Sequence, residues 1–81
     1  MLQEREQFAA HLRTEFLDRR EDVEVSVTGV GGRILELRYA GFGDVYLHHF
    51  RKQTTLAEIR AAGFHTVTMT DGYEWKVTLD P

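Results

Sequence analysis

The stretch Gly63 to Pro81, GFHTVTMTDGYEWKVTLDP, constrains the fold of this chain more than any other. Asp71-Gly72 stands between two runs in which apolar and polar residues alternate, which is the pattern of a β-hairpin. A two-residue turn would set Met69 against Glu74 and Val67 against Lys76, dividing the apolar side chains between the two faces. A three-residue loop Thr70-Asp71-Gly72, with Gly72 in the left-handed region, sets Met69 against Tyr73, Val67 against Trp75 and His65 against Val77. The second register keeps one apolar face and is the one expected.

A second pair of strands precedes it. Val23, Val25 and Val27 alternate with Glu24, Ser26 and Thr28, and Leu35, Leu37 and Tyr39 alternate with Glu36 and Arg38. A loop of residues 28–32 places Val25 opposite Leu35 and Val23 opposite Leu37, so both strands share an apolar face. The glycines at 29, 31 and 32 serve this turn through positive φ. A phosphate loop would require a Lys and a following helix N-terminus, and neither is present.

Helical spacing appears twice. From Leu2 to about Arg20, the residues Phe8, Ala9, Leu12, Phe16 and Leu17 recur three and four apart, with Glu15 and Arg19 placed for an i,i+4 pair. After Gly41-Phe42-Gly43, Asp44 is placed to cap a helix from Val45, whose buried side carries Leu47, Phe50, Thr54, Leu56, Ala57, Ile59 and Ala61. The capping box Thr55 to Glu58 marks a kink or tight break within that helix, and Gly63 ends it in the left-handed conformation.

The order is therefore α-β-β-α-β-β in one domain over residues 1–81. The expected fold is two-layer α+β: a four-stranded antiparallel sheet with two helices on one face. Its core would draw on Phe8, Leu12, Phe16, Val23, Val25, Leu35, Leu37, Phe50, Leu56, Ile59, Val67, Met69, Trp75 and Val77. Hydrophobic residues make up 42% and charged residues 28%, a balance that folds rather than remaining disordered. A chain this short buries a limited core, and without Cys it has no disulfide or thiolate metal site to add stability. Burial against a partner is the remaining source.

Candidate chemistry is sparse. His48 and His49 are neighbours, with His11 and His65 elsewhere, but adjacent helical residues point about 100° apart and no HExxH pattern is present. A metal-linked enzyme is thus the weakest reading. Ser26 sits mid-strand with no His expected beside it, and the carboxylates are scattered, so no nucleophile or acid-base pair assembles from the pattern. No cofactor is expected. Tyr39, Tyr73 and Trp75 lie on strands, where large aromatic residues ordinarily build the core face rather than a ligand patch.

His48, His49, Arg51 and Lys52, with Arg60 further along, form a basic run able to meet phosphate oxygens. The net charge of −3 opposes this, and RNA-recognition domains have a different element order and an aromatic RNP1 strand that Arg33 to Ala40 lacks. The polar sheet face offers another surface: Glu24, Ser26, Glu36, Arg38, Thr66, Thr68, Glu74 and Lys76, flanked by Thr28 and Thr78. It reads first as a solvated face and second as a partner-facing one. With no leader pattern and no membrane span in the sequence, the expected setting is cytoplasmic. The function expected is a small non-enzymatic protein-interaction module, a homodimer or a subunit of an assembly; a weak nucleic-acid binder using the His48–Lys52 turn is the rival.

Overall fold

The computed structural model describes residues 2–40 and 48–81, and of Leu2 the backbone alone. The expected start of the second helix, with Asp44 as its cap, Val45 and Leu47, lies outside the described residues. Helix α1 spans Leu2–Asp18, followed by strands β1 (Glu24–Thr28) and β2 (Ile34–Arg38), helix α2 (Gln53–Ala61), and strands β3 (Thr66–Thr70) and β4 (Lys76–Leu79). Residues 48–50 are also helical. The fold is α+β, with one four-stranded sheet in the order β1-β2-β3-β4.

The sheet is mixed, which corrects the antiparallel expectation. β1 and β2 are antiparallel, as are β3 and β4, but β2 and β3 run parallel with Leu35 beside Val67 and Leu37 beside Met69. The reason is the connection between them: a helical crossover carries the chain back to the end of the sheet where β2 began, so β3 starts alongside β2 and not against it.

Both hairpin registers also differ from expectation, and both keep the expected faces. Val25 pairs with Leu37 and Val27 with Leu35, because the loop occupies residues 29–33 and contains a 3₁₀ turn at Val30–Gly32. In the second hairpin Met69 pairs with Val77 and Val67 with Leu79, leaving residues 71–75 as the loop. A shift by an even number of residues moves the pairs without turning any side chain over.

The longer second loop has a specific cause. Oδ1 of Asp71 accepts the backbone N–H groups of Tyr73, Glu74 and Trp75 at 3.0, 2.8 and 3.1 Å. Thr70 Oγ1 donates to the Trp75 carbonyl at 2.7 Å and accepts from the Gly72 N–H at 3.0 Å. Two side chains therefore satisfy the main chain of a loop that strand pairing would otherwise have to supply. Gly72 has the expected positive φ, at 98°. Tyr73 is carried into solvent, 86% exposed, instead of onto the core face, and Trp75 is half-buried with its ring 5.3 Å from that of Tyr39.

One buried cluster unites the elements. Ala9, Leu12 and Phe16 of α1 meet Val25, Leu35, Leu37, Tyr39, Val67 and Met69 of the sheet, together with Phe50, Ile59 of α2, and Phe64. The sheet residues are all odd-numbered, hence on one face. α2 ends as Gly63 foretells: the Gly63 N–H donates to Arg60 O and the Phe64 N–H to Ile59 O, with Gly63 at φ 108°. That pair of bonds is a Schellman motif, and its usual apolar contact is supplied by Phe64 and Ile59, both fully buried. The helical break falls at Arg51–Lys52, before the capping box, since Lys52 is the extended residue (φ −63°, ψ 136°) and Thr55 is already helical.

α1 stops at Asp18, so Arg19 lies beyond it and approaches Glu21 at 3.9 Å, while Glu15 is met by His11 at 3.2 Å.

Candidate interaction surface

The strands project their even-numbered side chains away from the core cluster, and the observed registers arrange them in rows. Glu24, Arg38, Thr70 and Lys76 form one row; Ser26, Glu36, Thr68 and Thr78 the next; Thr28, Ile34 and Thr66 the third. Seven of the expected surface residues (Glu24, Ser26, Glu36, Arg38, Thr66, Thr68 and Lys76) thus share one face. Glu74 does not, because it belongs to the loop at 71–75. Thr68 is 5% exposed and Thr70 9%, shielded at the centre of the rows, so Glu24, Arg38 and Lys76 carry most of what a partner would touch. Within the first row Glu24 is opposite Arg38, and unlike charges opposite one another stabilise the pair modestly.

The basic run is divided. His48, His49, Arg51 and Lys52 are all exposed around the helical break, and the His49 ring packs edge-on against Phe50 at 5.3 Å. Arg60 sits in the last turn of α2, at the far end from Lys52, where it lines an open cleft with Gly63, Phe64, His65 and Pro81. His65 precedes β3, exposed, and its Nε2 accepts from Arg33 Nη1 at 2.8 Å, so it is not the core-facing strand residue expected. Among the described residues no three His, Asp or Glu side chains converge as a metal site.

The ionisation of Asp71 is clearly displaced. Burial works against its charge, but the N–H groups of Tyr73, Trp75 and Glu74 outweigh that and hold the carboxyl below its ordinary value of 3.8. The shift belongs to loop structure, and the open cleft that Asp71 shares with Asp22, Glu24, Arg38, Tyr39 and Ala40 holds about 180 Å³. One cleft, about 170 Å³ between α1 and residues 48–50, is lined by Leu12, Phe16 and Phe50 with Glu15, Arg19, Glu21 and His49. That is smaller than the ~300 Å³ at which small-molecule sites begin, whereas the clefts beside β1 and beside Arg60, about 410 and 420 Å³, exceed it but are more open to solvent.

Sequence reasoning missed one buried residue, Phe64, and two buried or bridging arginines, whereas Ala9 and Tyr39, which it placed on apolar faces, are buried. Arg5 is 8% exposed and donates Nη2 to the Gly31 carbonyl at 2.6 Å; Arg13 donates Nε and Nη2 to the Val25 carbonyl at 3.0 and 2.8 Å. Position five fits the helical stripe of Ala9, Leu12 and Phe16, a signal that the charge of Arg5 concealed. Comparison with protein-family models, with curated proteins and with solved structures returned no match. Among the described residues no helix is long and apolar enough to cross a membrane.

Proposed function

We propose that this chain is a small protein-interaction module, acting as a homodimer or as a subunit of an assembly, with α1 and α2 layered on one sheet face and the other face and the β4 edge left for a partner. The observation that carries this reading is the row arrangement of even-numbered residues opposite the core cluster: a polar surface with charges of both signs and, among the described residues, no convergent catalytic set. The limited core of a short chain adds to it, since association buries further apolar surface.

Light scattering of the purified chain at ~0.5 M NaCl tests the reading, because contacts that are not purely ionic survive when the Debye length falls to a few ångströms. A dimer or larger species that persists is the expected result. Tight binding of oligonucleotides that weakens steeply with salt, and is lost in Arg51→Ala with Lys52→Ala, would replace it with the nucleic-acid reading.

A further inference from the structure

The two edges of the sheet are not equivalent. β1 forms one edge and β4 the other. Main-chain N–H and C=O groups alternate between the two sides of a strand. The Thr66 N–H donates to Arg33 O and the Thr70 carbonyl accepts from the Tyr39 N–H, so even residues of β3 address β2, and Val67 and Met69 address β4. Their partners are Leu79 and Val77, which turns the main-chain groups of Lys76 and Thr78 outward. By the same alternation Val25 and Val27 face outward on β1. There part of the edge is engaged: Arg13 caps the Val25 carbonyl with two N–H groups, and just before the strand the Val23 N–H is given to Glu21 O at 3.2 Å. Among the described residues no such bond engages the outward groups of β4.

We infer that a second copy of this chain adds to the β4 edge, running antiparallel across a two-fold axis with Thr78 opposite Thr78 of the second copy. The register follows from parity and charge. Outward groups must meet outward groups, so even residues oppose even residues. An axis through Lys76 would set Lys against Lys, and one through Asp80 would set Asp against Asp, both destabilising. An axis through Thr78 sets Lys76 opposite Asp80 of the second copy, twice by symmetry. It also sets Val77 opposite Leu79 of the second copy on the core face, where both are half-buried in the single chain. An axis through Val77 leaves both charges unmatched and shortens the ladder. Asp80 is held extended by the proline that follows it, and every outward N–H and C=O from Lys76 to Asp80 is then used on both copies. The interface is isologous, and the result is one continuous sheet across the dimer.

This inference rests on the interaction-module reading and names its partner. The test uses the full chain, with mass by light scattering over a concentration series and amide exchange by NMR. Expected are a dimer that dissociates on dilution and amides of Lys76, Thr78 and Asp80 that gain protection with concentration, while those of Val77 and Leu79 do not change. Thr78→Pro removes one outward N–H and leaves the bonds to β3 in place, as edge strands tolerate, so it should yield a folded monomer. Lys76→Glu should shift the equilibrium toward monomer, and the same change with Asp80→Lys should restore the dimer, which keeps the test decisive if Thr78→Pro fails to fold. A dimer indifferent to all three variants would overturn the β4 edge while leaving the module reading intact. A monomer at every concentration would overturn the second copy as partner, and the oligonucleotide arm then decides the fate of the module reading.

Discussion

The N-terminal half, α1-β1-β2, and the C-terminal half, α2-β3-β4, repeat one element order but secure their turns by different means. Each helix ends in the same pair of bonds: Gly63 to Arg60 and Phe64 to Ile59 in α2, Arg20 to Leu17 and Glu21 to Phe16 in α1. In α2 the left-handed position is a glycine and the residue after it is a buried phenylalanine. In α1 the same places hold Arg20, at φ 58°, and Glu21. The hairpins differ in the same sense. The loop at 71–75 is closed by Thr70 and Asp71, its own neighbours in sequence, whereas the glycine loop at 29–33 is held by Arg5 reaching across from α1. The C-terminal half carries its instructions locally; the N-terminal half borrows them from a docked helix, and leaves Arg5 Nε buried with no partner among the described residues.

The sharpest way to break that contrast is at the residue after each left-handed position. Phe64 is fully buried and packs edge-on against Phe8 at 5.9 Å, so Phe64→Ala should cost about 3–5 kcal/mol in denaturant unfolding. Glu21→Ala should stay within ~0.5 kcal/mol. Comparable losses at both would show that the two helix ends are energetically alike.

Next in size is Gly63→Ala. Its new Cβ would sit in the left-handed region and 2.7 Å from Arg5 Nη1, an atom at the movable end of a side chain. A loss of about 1–2 kcal/mol is expected, mostly from the backbone. An unchanged melting temperature would remove the Schellman end from the account.

The reverse substitution, Arg20→Gly, should stabilise the chain by about 0.5–1 kcal/mol, because relief of the left-handed strain exceeds the added entropy of the unfolded glycine. Thermal unfolding reads it directly, and a destabilised variant would mean that the Arg20 side chain makes up for its backbone.

The mildest effect is acid sensitivity at the Asp71 loop. A carboxyl held below its ordinary value of 3.8 adds stability at pH values above that figure, and the contribution is lost as pH falls through the lower folded value. Wild type should therefore exceed Asp71→Asn in melting temperature at neutral pH, with the gap closing below about pH 4. Parallel curves down to pH 2 would show that the amide serves the three N–H donors equally well.

What the sequence reveals depends on the range of the interaction. Alternation and helical spacing depend on neighbouring residues, so the six elements, the strand faces and the Gly63 stop were legible, while in α2 Ile59 is buried but Thr54, Ala57 and Ala61, expected on the same side, are exposed. The registers were not legible, since Asp71 and Thr70 satisfy the loop through side-chain bonds that hydrophobic pairing does not register. The parallel β2–β3 pair was missed because alternation is blind to strand direction, and only the crossover between them sets it. For the candidate surface, parity alone placed seven residues on one face. That Thr68 is shielded and Glu74 displaced into a loop depends on strand neighbours and loop length.

The parallel pair also sets the order in which this chain is able to fold. Each hairpin joins strands only a loop apart and closes at small entropic cost, but β2 and β3 meet only after the entire crossover from Tyr39 to His65 has been gathered in. Until then the chain is two separate ribbons, each with one unprotected apolar face. The central seam of the sheet is thus the late step of folding, and the interval before it forms is when neighbouring chains on a crowded ribosome or in a concentrated tube are most apt to join wrongly.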